Sequence, residues 1–179
     1  MIKVETSISG IKPLAVDKLD IERIIKPEPN PKKYTEEILA HQAELSLYRN
    51  HDGLFIPNRN LKKCFIQGAK MGRITLGGRR NLYPFIEASV FISPDEIPLN
   101  KEEPDNFYQF AMRRKDGNVI PKRLPIFTDW QLDFTLSIFD DEITDKVQEA
   151  ITIAGLSVGI GACRPEFGRF EISKWEVNK

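Results

Sequence analysis

Hydrophobic and polar positions alternate at the start of the chain. Ile2, Val4, Thr6 and Ile8 fall on one side, and Lys3, Glu5 and Ser7 on the other. This pattern predicts a half-buried strand that Gly10 closes. Residues 11–33 carry Pro13, Pro27, Pro29 and Pro31 and read as an irregular connection. The helical spacing of Ile38, Leu45 and Tyr48 predicts a helix over 34–48 with Thr35 as cap. A short extended piece, 53–57, leads to a second helix over 61–71, which Asn58 or Asn60 can cap. Its apolar face holds Leu61, Cys64, Phe65 and Gly68. Residues 82–92 are apolar and β-rich, with Pro84 near the start, and predict a strand. A loop over 93–105 precedes a hairpin, 106–125, that turns at Lys115–Asn118. Residues 130–139 form the clearest strand, with Leu132, Phe134, Leu136 and Ile138 inward. A helix over 142–154 follows, with Gly155 in the position of a C-terminal cap, and the last strand is expected over about 168–177.

With the insertions set aside, the order is β–α–β–β–α–β. It predicts an α+β fold with a ferredoxin-like, RRM-like βαββαβ core. The core is expected to be one domain over 1–179, with an enlarged first connection (about 11–57) and a thumb-like β-hairpin within the insertion 93–129. A chain of 179 residues can bury about 70% of its unfolded surface. It therefore needs no disulfide or metal staple. Cys64 and Cys163 form no C-x-x-C pair and read as two buried free thiols. His41 and His51 are too far apart for an H-E-x-x-H site, and no phosphate-loop or nucleophile-elbow motif is present. Neither a catalytic residue, a metal nor a cofactor is expected. No apolar run is long enough to span a membrane, and MIKVETSISG lacks a signal pattern, so the expected location is cytoplasmic.

Charge changes the picture through its distribution. The chain carries 26 Lys+Arg and 26 Asp+Glu. Between Gly53 and Ile86 there is no acid, against Arg59, Lys62, Lys63, Lys70, Arg73, Arg79 and Arg80. Lys63, Gln67 and Lys70 share one helix face, and the loop Thr75–Arg80 offers backbone N–H groups; such a surface suits phosphates. The hairpin sets Arg113, Arg114, Lys115, Lys122 and Arg123 against Asp116 alone, after Phe107, Tyr108 and Phe110. Cations and rings on a protruding ribbon can hold a single strand. A third segment, 158–170, holds Gly159, Gly161 and Gly168 with Arg164 and Arg169, and small residues there allow a tight turn and close approach to a ligand backbone. Each segment also has a structural reading: a solvated helix face, a packed hairpin, a turn. Residues 87–111 and 126–151 are acidic blocks.

Two of these segments resemble motifs of the RAMP superfamily, the ferredoxin-like RNA-binding proteins of CRISPR systems. Phe55-Ile56-Pro57-Asn58-Arg59-Asn60-Leu61-Lys62-Lys63 stands where that family has an I-P-G-S-S-x-K-G-type motif, with Asn58-Arg59-Asn60 replacing Gly-Ser-Ser. Val158-Gly159-Ile160-Gly161, followed by Gly168-Arg169-Phe170, is similar to the family's glycine-rich loop. The opening Ile8–Leu14 resembles its first strand and exit. The likeness is closest to backbone subunits that coat a guide RNA and insert a thumb between the second and third core strands. It implies a non-catalytic protein that binds single-stranded nucleic acid, RNA or single-stranded DNA, as repeated copies of itself, with other subunits of a ribonucleoprotein complex as further partners. A small phage-encoded relative is the other form this resemblance allows, and there single-stranded DNA would take the place of a guide RNA as partner. Some related subunits cut RNA with an aspartate after the first strand, where Asp17 and Asp20 lie. A ribonuclease and a purely structural assembly protein are the alternatives.

Overall fold

The structure, a computed structural model, describes residues 1–18, 33–114 and 116–178. Asp20, Lys115 and the prolines at 27, 29 and 31 lie outside the described residues. The core is a four-stranded antiparallel sheet in the order β10-β1-β9-β5. Its strands are β1 (Ile2–Gly10), β5 (Val90–Ser93), β9 (Gln131–Ile138) and β10 (Phe170–Asn178). Two helices cross over it: α2 (Asn58–Met71) joins β1 to β5, and α4 (Thr144–Ile153) joins β9 to β10. Renumbered by core strand, the order is 4-1-3-2, which is the ferredoxin-like arrangement expected from the sequence.

Alternation fixes the register. Val4 and Ile8 of β1, and Leu132, Phe134, Leu136 and Ile138 of β9, are buried beneath the helices. Phe65 of α2 meets Phe134 with ring centroids 6.1 Å apart. The two helices approach closely because α2 has no side chain at the crossing: a Cβ on Gly68 would lie 2.3 Å from the Ala150 carbonyl oxygen. The opposite face of the sheet is polar. Register puts Glu5, Asp133, Glu171 and Glu176 there, with Lys3 and Lys174. Lys174 pairs with both Glu5 and Glu176.

Around this core sit β2 (Leu14–Ala15), α1 (Glu36–Leu45), β3 (Arg49–Asn50), β4 (Gly53–Pro57), α3 (Tyr83–Ser89) and β6 (Glu96–Pro98). The hairpin is β7 (Asn106–Arg113) and β8 (Val119–Phe127), inserted between β5 and β9 as expected. Its base does not stand free. Leu14 and Ala15 pair with Phe127 and Ile126, and Leu124, Ile126 and Phe127 are buried. Thr35 caps α1 as predicted, accepting the Ile38 N–H.

Four expectations require correction. Residues 82–92 are a helix followed by a four-residue strand. Leu82 and Ile86 are both buried one turn apart, and Pro84 sits in the first turn, where its missing N–H costs nothing. Neither Asn58 nor Asn60 caps α2. The helix leaves β4 directly at Pro57, and the Asn58 amide donates to the Ile92 carbonyl and to Asp95 instead. Gly155 does not end α4: the helix continues through a π turn, Ala154–Val158, and stops at Gly159, whose φ is +73°. Gly155 lies buried against Phe170, where a Cβ would meet the Phe170 carbonyl at 2.2 Å. Of the two thiols, Cys64 is buried, but Cys163 is only partly so.

Candidate nucleic-acid interface

The two motif segments meet in space. The β1 exit (Val16, Asp17), the end of β4 (Ile56), the first half of α2 (Asn60, Lys63) and the glycine loop (Gly161, Ala162, Arg164) enclose a cavity of about 230 Å³, with Tyr48 on one wall. The same loop residues continue into an open groove of about 570 Å³ along Gln67, Met71 and Val158, with Cys163 and Pro165 on its rim. Positions 60, 63 and 67 recur at helical spacing, so one stripe of α2 lines the whole length.

The loop is held by backbone stitches to the β1 exit. Ala162 N–H donates to the Ala15 carbonyl at 2.7 Å, Gly168 N–H to Pro13 at 2.8 Å, and Ile160 N–H to Gly168 at 2.9 Å. The glycines make this possible. Gly161 has φ +80°, and a Cβ there would lie 2.3 Å from the Ala15 carbonyl oxygen. At Gly168 it would lie 1.8 Å from that of Ile160. At Gly159 a Cβ would meet the Phe167 carbonyl oxygen at 2.9 Å. The three glycines thus shape the loop against the protein itself, and the N–H groups of Gly159, Ile160, Ala162 and Gly168 are spent internally. Beneath them, the Cys64 thiol donates to the Gly159 carbonyl at 3.2 Å. Burial pushes this thiol up to about 12, so it stays protonated and keeps donating at neutral pH.

Apart from Lys115, which lies outside the described residues, the thirteen other cations singled out from the sequence separate into groups. Lys63 and Arg164 line the cavity. Arg59, exposed, lies one turn before Lys63 on the same stripe. Arg73 and Arg79 are exposed beyond the far end of α2, and Arg80 donates to the Leu76 carbonyl at 3.3 Å. In that loop the Leu76 N–H is spent on the Arg80 carbonyl, which leaves fewer free donors than the sequence implied. The Lys70 ammonium lies 4.8 Å from the Tyr83 ring centroid. Lys62 points the other way, around the β5 edge, donating to the Val90 carbonyl over the Phe91 ring. Partial burial lowers its pKa, with Glu87 opposing. Arg169 donates to the Pro165 carbonyl at 2.9 Å and braces the loop.

The thumb cations also divide. Arg113 is exposed near the tip, and Arg114 pairs with Asp116. Lys122 is bound to Asp17, and Arg123 is bound by both carboxylate oxygens of Glu36 and by Gln109. These two cations fasten the thumb to the body. Tyr108 stacks with Phe110 at 5.2 Å and meets Phe167 of the glycine loop at 4.9 Å, so this side of the ribbon packs inward. Phe107 remains half-exposed, beside Arg123.

Asp17 accepts from Lys122 and from the Ser46 hydroxyl at 3.3 Å. His41 and His51 are exposed and line neither cavity nor groove. Among the described residues no three His, Cys, Asp or Glu side chains cluster to hold a metal. Among the described residues no helix is long and apolar enough to cross a membrane. Residues that sequence reasoning did not assign to the site are Val16, Tyr48 and Asn60. Asn60 alone left a signal, three positions after Pro57 in the motif.

No family model matches this sequence, and no curated protein is similar to it. The fold does have a counterpart among solved structures. A chain of the Type III-B Cmr-beta complex, solved by cryo-EM bound to cognate target RNA, superposes with a TM-score of 0.55 at 13% identity. The match covers 99% of the present chain and 61% of that one. At this identity the likeness is one of fold.

Proposed function

We propose that this chain is a non-catalytic, single-strand nucleic-acid-binding subunit of the RAMP kind, with RNA as its strand, working in a multi-copy or multi-subunit assembly. The observation that carries the reading is the groove. The Ile-Pro helix start, the β1 exit and the glycine loop come from distant parts of the sequence, and they converge on one channel. Lys63 and Arg164 line it, Arg59 is exposed one turn before Lys63 on the same stripe of α2, and none of the three has an acidic partner among the described residues. The fold neighbour's presence in an RNA-bound complex supports RNA as the strand. The engagement of Asp17 by Lys122 and Ser46 supports a binding role over cleavage.

Fluorescence anisotropy with labelled single-stranded RNA over a range of salt tests this reading. Each phosphate contact on a single strand contributes about −0.7 to the slope of log K against log salt. Lys63→Ala with Arg164→Ala should therefore flatten the slope by about 1.4 and weaken binding. Lys62→Ala should change neither. A double variant that binds like the parent would remove the groove from consideration, and metal-dependent RNA cleavage lost in Asp17→Ala would overturn the non-catalytic reading. For self-assembly, the acidic open sheet face and a neighbour's exposed Arg73 and Arg79, beyond the far end of α2, are the complementary surfaces. Sedimentation that is unchanged between low and high salt, with and without RNA, would refute that contact.

A further inference from the structure

We infer that the 230 Å³ cavity at the head of the groove is a subsite for a single nucleobase turned out of the bound strand. This deepens the proposed function and rests on it. The cavity is smaller than the ~300–1,000 Å³ clefts that take whole drug-sized ligands. At about 30 Å³ per water it would hold roughly eight, comparable to one heteroaromatic ring system and too little for a stretch of backbone.

Its walls match a base better than a phosphate. Val16, Ile56 and Tyr48 supply apolar and aromatic surface. Tyr48 is fixed in place by Phe55, with ring centroids 5.8 Å apart. The polar groups are few and specific. The Asn60 carboxamide has both a donor and an acceptor, and no described residue bonds to it. Asp17 is held by Lys122 and Ser46, and a carboxylate with two partners still has acceptor capacity. Lys63 and Arg164 stand at the mouth, where the flanking phosphates of an extruded nucleotide would pass.

This chemistry sets a preference. An acceptor-only carboxylate favours a base that carries an exocyclic amino group. In uracil the ring N–H lies between two carbonyl oxygens that a carboxylate would meet unfavourably. Adenine, cytosine and guanine, each with an exocyclic amino group, should therefore be taken in preference to uracil.

The test uses the full chain and 12-nucleotide labelled RNAs: oligo(A), oligo(C), oligo(U) and a ribose-phosphate strand of equal length without bases. Oligo(A) and oligo(C) should bind at least about tenfold more tightly than the abasic strand, with oligo(U) between them. Asp17→Asn, which turns the acceptor-only group into one that also donates, should erase most of the difference between oligo(A) and oligo(U). The comparison of base-bearing and abasic strands needs no variant, so it stands even if Asp17→Asn folds poorly. Abasic RNA binding within twofold of oligo(A), or discrimination unchanged in a folded Asp17→Asn, would overturn the subsite and leave the groove intact. If none of the four strands binds, the proposed function itself falls.

Discussion

Replacing Gly161 by alanine should be far more damaging than the single added methyl suggests. Gly161 holds φ +80°, a left-handed conformation that costs an L-residue about 1–2 kcal/mol. The new Cβ would stand 2.3 Å from the Ala15 carbonyl oxygen, which is backbone and cannot swing aside. Relieving that overlap by moving the loop costs about 1–3 kcal/mol, as overpacking does elsewhere. Such a shift also strains the Ala162-to-Ala15 hydrogen bond of 2.7 Å, worth about 1 kcal/mol. The sum is about 3–6 kcal/mol. For a domain of this size 1 kcal/mol lowers Tm by about 2–4 °C, so the melting midpoint should fall by roughly 10 °C. Gly78→Ala is the internal control. Gly78 has φ +60° but nothing within 4 Å, so only the backbone cost of about 1–2 kcal/mol applies. Circular dichroism melts of the two variants side by side make the measurement. If Gly161→Ala melts no lower than Gly78→Ala, the loop is not pressed onto the β1 exit as described. Glycine would then not shape the groove from within.

Three further outcomes follow from the same geometry. Burial encloses the Cys64 thiol and pushes it up to about 12, whereas Cys163, raised by its partial burial, is still half-exposed, so iodoacetamide at about pH 8 should modify Cys163 well before Cys64. Mass spectrometry reads the order, bound RNA should slow labelling of Cys163, and equal labelling rates would contradict the burial of Cys64. Asp105 is held below its ordinary carboxylate value, first by the Lys101 ammonium and then by the Thr128 N–H and hydroxyl; Glu36 is held low by Arg123. Because both folded-state values are lowered, their stabilisation is complete above the unfolded value of about 4 and is lost as pH falls through the folded one. The melting midpoint should thus drop below pH 4, and less steeply in Asp105→Asn with Glu36→Gln; an identical acid limb would refute the assignment. Gly68→Val should force α2 and α4 apart, since even a Cβ would lie 2.3 Å from the Ala150 carbonyl, and chemical denaturation should show a loss of more than about 2 kcal/mol.

The parts of the fold that were legible in the sequence are those whose pattern has one interpretation. In β9 the apolar residues fall at every second position with polar ones between, which only a half-buried strand satisfies, and β1 reads the same way. Residues 82–92 lacked that clarity. Leu82, Phe85 and Ile86 fit a helix face, the β-branched run at the end fits a strand, and both are present in sequence. The glycine loop was legible as a turn, but its partner, Ala15, lies 147 positions before Ala162, and no local signal announces such a contact. The same distance problem explains the cations. Lys62 and Lys63 are adjacent, yet successive helix positions point about 100° apart, so one reaches the β5 edge and the other the groove. Lys122 and Arg123 read as free thumb charges because Asp17 and Glu36, which hold them, are about ninety to a hundred residues earlier.

The RRM-like core would allow a strand to lie across the open sheet, with bases stacked on aromatic side chains. The charge on that face argues against it here. Glu5, Asp133, Glu171 and Glu176 outnumber Lys3 and Lys174, and Lys174 is already shared between two of those acids. Among the described residues the sheet aromatic exposed on that side is Phe91, which stands at the β5 edge against Phe139 at 5.4 Å, away from the central strands where a base would stack. A phosphate backbone is therefore disfavoured on the sheet and favoured only along the channel between α2 and the glycine loop. The formal net charge of +0 gives no long-range pull to add to this. With a Debye length of about 8 Å at physiological salt, each face acts on what is directly before it. On the proposed reading, binding strength would rest on the few groove cations that have no acidic partner among the described residues, so removing Lys63 and Arg164 should matter more than their share of 26 basic residues would suggest.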